Sequence, residues 1–191
     1  MHARLIVAPT VEPISIEQAR MQVRADGDEL DAQLLLGMSA VRQACERRTG
    51  RALITQTWEL VGEAFGCRRD IELPRGPVQS VVSVQYTDPD GQVQILAEDA
   101  YAADLDAVPA VLVPGYGLTW PETRGMPGSV RIRLVCGYGA TADAVPAELK
   151  QWMLLMLGHW MRNAEAASSD GLTPLPYIDS LIDPFVIWRF S

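Results

Sequence analysis

Two histidines, three cysteines and 24 acidic side chains are the residues of this chain best suited to chemistry. His2 stands at what reads as a mobile terminus and His159 inside an apolar stretch, where a packed or rim histidine is the ordinary finding. So placed, they suggest neither a His-rich metal site nor a Ser–His–Asp arrangement. Cys45, Cys67 and Cys136 are odd in number, far apart, and form no CxxC pair. That argues against a disulfide framework or a zinc site. It favours buried free thiols at Cys45 and Cys136, and production in a reducing cytoplasm. Metal ligands would have to be carboxylates, yet Asp26-Gly27-Asp28 and Asp88-Pro89-Asp90-Gly91 lack the ligand count of a calcium loop. Both suit helix capping and turns better. Gly115-Tyr116-Gly117 and Gly137-Tyr138-Gly139 match neither the P-loop nor the dinucleotide fingerprint and read as loop glycines. The basic groups Arg47, Arg48 and Arg51, and Arg68 and Arg69, read as solvated or interface charges. The expectation is no catalytic residue, no cofactor and no metal.

The composition sets the frame for these residues. Hydrophobic residues make up 48% of the 191 and charged ones 21%, enough for a real core. A net charge of −8 argues against gripping a phosphate backbone, where affinity comes from Lys and Arg displacing counterions. The opening MHARLIVAPTVEP lacks the long apolar run of a signal peptide. The run from Trp152 to Leu157 is far too short to span a bilayer.

The pattern predicts helices over about 15–24, 28–49 and 146–163. Ser15 and Gln18 have the spacing of a capping box. Asp28 can cap the second helix and Gly50 can end it. Leu30, Leu34, Met38, Val41 and Cys45 form its apolar stripe, with Asp31, Gln33, Arg42, Gln43 and Arg47 elsewhere. Pro146 opens the third helix, which is apolar all round between Trp152 and Leu157. Between about 52 and 138 the period becomes two, over QTWEL, IELP, VVSVQY, QVQIL and VRIRLVC. In the last, Val130, Ile132 and Leu134 face one way and Arg131 and Arg133 the other, as in an antiparallel sheet with one solvated face. Asp88-Pro89-Asp90-Gly91 joins a hairpin. Residues 98–128 read as long loops around one short strand at VLV. The fold class expected is α+β: one domain over 1–191, with three main helices, an inserted antiparallel β region and an extended C-terminal tail over about 164–191.

That tail ends DPFVIWRFS. Phe185, Val186, Ile187, Trp188 and Phe190 are large anchors of the kind enriched at interfaces, and a chain end this apolar either packs at home or docks on a partner. Trp152, Met156 and Trp160, four residues apart on one helix face, are candidate ring contacts if they are not core.

Several stretches together resemble one known family. PISIEQARMQVRADGDELDAQLLLGMSAVRQACERRTGRALITQTWEL is similar to the opening of head–tail connector (adaptor) proteins of long-tailed bacteriophages and phage-derived gene transfer agents. IELPRGPVQSVVSVQYTDPDGQVQIL resembles that family's hairpin. VRIRLVCGYGATADAVPAELKQWMLLMLGHWMRN resembles its closing strand, Gly-Tyr-Gly turn and following helix. The likeness covers about 12–163, in order; the 98–128 stretch and the tail depart from it. The resemblance implies a non-enzymatic structural subunit of a bacteriophage, prophage or gene transfer agent. It would form a twelvefold ring under the portal protein, contact the next neck or tail protein, and surround a channel through which DNA passes without sequence-specific binding. Its place would be the virion neck, with no membrane role. The phage and gene-transfer-agent settings both remain open. The alternatives are another neck component, such as a stopper or tail terminator, a hydrolase-type enzyme with a carboxylate site, or an unrelated ligand-binding module. The helical termini favour the adaptor, since the other neck components are expected to be richer in strands.

Overall fold

A computed structural model describes residues 1–66, 69–162 and 176–187. The class is α+β with antiparallel sheets. In chain order the described elements are β1 (His2–Val7), α1 (Ile16–Val23), α2 (Asp31–Thr49), β2 (Gln56–Gly62), β3 (Ile71–Glu72), β4 (Val78–Thr87) and β5 (Val93–Ile95). There follow β6 (Tyr101–Asp104), β7 (Val111–Pro114), β8 (Val130–Cys136), α3 (Ala147–Arg162) and α4 (Pro176–Asp179). They divide into two compact units. A β unit takes Met1–Pro9, Thr55–Gly137 and Ile187; a helical unit takes the described residues of Thr10–Ile54 and Tyr138–Val186.

The β unit is more than an insertion, because β1 precedes every helix and pairs antiparallel with β2, His2 opposite Val61 and Leu5 opposite Trp58. His2 is therefore a strand residue and not part of a mobile end. The larger sheet runs β1-β2-β8-β4-β5. On β8 the expected alternation is present: Val130, Ile132, Leu134 and Cys136 are buried, while Arg131 and Arg133 are exposed. Successive strand residues point to opposite faces, and this sheet buries one of them. The β4–β5 hairpin forms as expected. Gly91 holds φ at +86°, a backbone open to glycine at little cost. Asp88 accepts from Gln92 N (2.8 Å) and from the Gln94 amide (2.9 Å), which hold its carboxyl below the usual range, the Gln94 bond most of all. The 98–128 stretch is more ordered than expected. Besides the VLV strand it supplies β6, and β3-β7-β6 form a second, three-stranded sheet.

In the helical unit α3 packs on both α1 and α2. Leu34, Met38, Val41 and Cys45 of α2 meet Leu149, Trp152, Met153 and Leu157 of α3 in one buried cluster that also takes Ile178 and Ile182. Gly37 permits the close approach, since a Cβ there would stand 2.6 Å from Leu157 Cδ1. The capping box at Ser15 forms, with Gln18 N donating to Ser15 Oγ at 3.2 Å and Ser15 N to Gln18 Oε1 at 2.9 Å. Asp28 is not a cap. Its carbonyl accepts from Asp31 N (3.0 Å), so the chain turns there first and the helix starts at Asp31, whose carboxylate is bound by Arg20. Leu30, expected on the stripe, is exposed for the same reason. Arg42, expected off the stripe, is buried, with Nε on Glu12 (2.8 Å) and an amino nitrogen on Glu46 (3.1 Å).

Candidate functional site

Several titratable groups among the described residues are held in structural roles. Glu59, in the middle of β2, lies opposite Arg4 on β1 and Arg133 on β8. Its carboxylate accepts from Arg4 Nε at 3.0 Å and from Arg133 at 3.1 Å. Burial alone would raise its pKa, but the two guanidinium hydrogen bonds outweigh burial and hold it below the usual carboxylate range. A general acid needs the opposite, a carboxyl held protonated near neutral pH. Burial pushes the Cys45 and Cys136 thiols up to about 12, so neither supplies a thiolate. Cys67 and Arg68 lie outside the described residues. The Tyr138 hydroxyl is buried beside Arg51. Burial holds it above the ordinary phenol range, with the Arg51 charge pulling the other way. Among the described residues no group of three His, Cys, Asp or Glu is placed to hold a metal ion. No described helix is long and apolar enough to cross a membrane.

A concavity of about 740 Å³ opens in the β unit beside Trp120, Leu118 and Arg69. Its rim carries Tyr116, fully exposed between Gly115 and Gly117. Trp120 stacks on Phe65 at 4.7 Å and donates from its indole to Arg69 O at 2.9 Å. The described lining contains no carboxylate, histidine or cysteine; its polar side chains are Arg69, Tyr116, Thr119 and Trp120.

The residues singled out as interface candidates divide. Trp152 is 1% exposed and donates from its indole to Asp179 Oδ1 at 3.3 Å, so it is core. A side chain closed in this way by its own chain leaves almost no surface for a neighbour to meet. Met156 and Trp160 are half-buried against the same cluster. In the tail, Phe185 packs on the helical core and its carbonyl accepts from Arg51 Nε. Val186 is half-buried, and Ile187 is 9% exposed, with Cδ1 3.0 Å from where a Cβ on Gly76 would stand. These three residues are packed at home. Trp188 and Phe190 lie outside the described residues.

The arrangement defines an α+β chain of two compact units, each with a buried core. No family model matches the chain, and no curated protein matches it. Solved structures do. The fold is that of a chain from the neck of an empty GTA particle computed with C6 symmetry, at TM-score 0.81 and 23% identity over 100% of this chain and 98% of that one. A chain from the virion of a native gene transfer agent (GTA) particle matches at TM-score 0.80 and 24% identity, with the same coverage. A third, from the neck of a native GTA particle computed with C12 symmetry, matches at TM-score 0.77 and 25% identity, again over 100% and 98%.

Proposed function

We propose that this chain is a structural head–tail connector: an adaptor subunit that forms a ring under a portal and joins a capsid to the neck or tail around the DNA channel. The observation that carries the reading is the end-to-end likeness of its fold to chains of GTA particle necks. The ordered resemblance over about 12–163 points to the same family from sequence. The C6 and C12 symmetries of those necks support a ring of like copies. Its partners are the portal, neighbouring copies of itself and the next neck or tail protein. A net charge of −8 suits DNA passing without being held. The role is assembly and not catalysis, in keeping with a buried carboxylate clamped by two arginines and thiols kept protonated.

Met156 and Trp160 keep part of their surface for a neighbour or the portal. Trp188 and Phe190 serve as portal anchors, rooted by the packed residues Phe185, Val186 and Ile187. The test is direct: the purified chain is mixed with its cognate portal and examined by negative-stain microscopy and sizing. An extra ring at the narrow end of the portal is the expected result. A portal that elutes and images unchanged at saturating chain overturns the reading.

A further inference from the structure

A closed ring needs two different patches on each subunit that fit one another. The α3 face supplies little of either, because Trp152 is core and Met156 and Trp160 are half-buried. Two other surfaces meet the requirement. The first is the polar face of the five-stranded sheet. Directly opposed residues of neighbouring strands share a face, so the register sets Val61, Arg131, Gln85 and Ile95 in one row across β2, β8, β4 and β5. Arg4, Glu59 and Arg133 form the next row. Arg4, Arg131 and Arg133 are exposed, and the acid of these rows, Glu59, is buried among them. The face is thus basic within a chain of net −8. Ile95 is 71% exposed on the same face and adds an aliphatic edge.

The second surface is the segment 26–36 of the helical unit. Asp26, Asp28 and Glu29 are exposed in the turn before α2. Leu35 and Leu36 follow on its first turns, and Leu36 is 73% exposed, off the stripe made by Leu34 and Met38. One surface sets guanidinium groups beside aliphatic carbon, and the other sets carboxylates beside aliphatic carbon. They match in charge and in apolar content, and they are different patches.

We propose that the polar sheet face of one copy docks on the 26–36 segment of the next copy, head to tail around the ring. This deepens the connector reading and rests on it for the ring. A second copy fits the sheet face better than DNA does. Three exposed arginines displace few counterions against the repulsion of an acidic chain, and Ile95 gains nothing from a phosphate backbone. Charge complementarity of this kind sets orientation and register more than raw affinity.

Two measurements on portal-loaded rings test it. Arg131→Glu and Glu29→Arg each place like charges in the contact and are expected to cut ring loading about tenfold or more, while the combined variant, with the pair restored in reverse, returns to within about threefold. Neither residue belongs to the Arg4–Glu59–Arg133 clamp, and an unchanged melting temperature verifies that each variant folds. In the second measurement, Leu36→Cys and Ile95→Cys chains are mixed in a Cys67→Ser background and oxidised, both on the portal and free at high concentration. Disulfide-linked pairs that need both variants are expected. Single variants that load like wild type overturn the proposal. So does Leu36→Cys linking to itself, which would mean a two-fold contact, or loss of binding to a labelled DNA duplex by Arg131→Glu with rings intact. Wild-type rings on the portal without the mixed cross-link overturn this contact and leave the connector reading standing. A wild-type chain that neither binds portal nor cross-links overturns both.

Discussion

Glu59 shows how a charge is kept inside a strand. The carboxylate sits opposite two arginines on neighbouring strands, so its lone pairs are used and its charge is matched. Glu59→Gln removes the charge and one of the two acceptor oxygens, setting an amide donor against one guanidinium, and is expected to cost about 1–3 kcal/mol at neutral pH. The pH dependence has a definite sign. The folded-state pKa is depressed, so the clamp contributes fully above the unfolded-state value of about 4.3 and is lost as pH falls through the folded value. Denaturant titrations of wild type and variant should therefore differ most near neutrality and converge as pH drops below about 4. A gap that stays constant to low pH would mean that packing, not charge, was lost. The alternation of Arg131 and Arg133 with valine, isoleucine and leucine was readable in the sequence, because period two is local. The clamp was not, because Arg4 stands 55 positions away on a strand that the N-terminal residues did not announce.

Among the elements, α1 and α3 were the most legible. A capping box and an apolar stretch opened by proline are local signals, and both structures follow them. The start of α2 was not, since Asp28 reads as a cap in sequence but is used in a turn, and the helix begins at Asp31, paired with Arg20. Of the β3-β7-β6 sheet, IELP and VLV read as strands and β6 did not. The place of β3 is set by pairing with β7 some forty residues later, which its own residues do not announce. Trp152 was ambiguous for a related reason: an all-round apolar helix does not say which of its faces its own chain will cover. The structure gives it to the core, so Trp152→Ala is expected to cost about 3–5 kcal/mol in denaturant unfolding. A variant with unchanged stability and impaired ring loading would return Trp152 to the interface.

Over the whole molecule, the two units are interleaved in sequence, and the tail belongs to both. Phe185 packs in the helical unit and Ile187 in the β unit. Deleting 185–191 is therefore expected to lower the melting temperature by about 5 °C or more, through lost core contacts. Ending the chain after Ile187 is expected to leave the melting temperature as it is and abolish portal binding, since Trp188 and Phe190 are the proposed anchors. A chain ending at Ile187 that binds portal like wild type would remove the anchor role and leave the tail as core. The apolar end was legible as a feature in need of a surface; which surface was not, because that depends on what the helices leave uncovered.

The same interleaving governs synthesis. The stripe of α2 is complete once Thr49 has left the ribosome, but α3, which covers it, begins only at Ala147, roughly a hundred residues later. At about 5–20 residues per second that is a delay of about 5–20 seconds. During it Leu34, Met38 and Val41 lack α3, while the seven strands from β2 to β8 are made. The nascent chain thus carries α2 without its α3 cover for about half of the 191 residues. Translation speed across the β region should therefore bear on its yield in the cell, since apolar surface left exposed during synthesis invites aggregation.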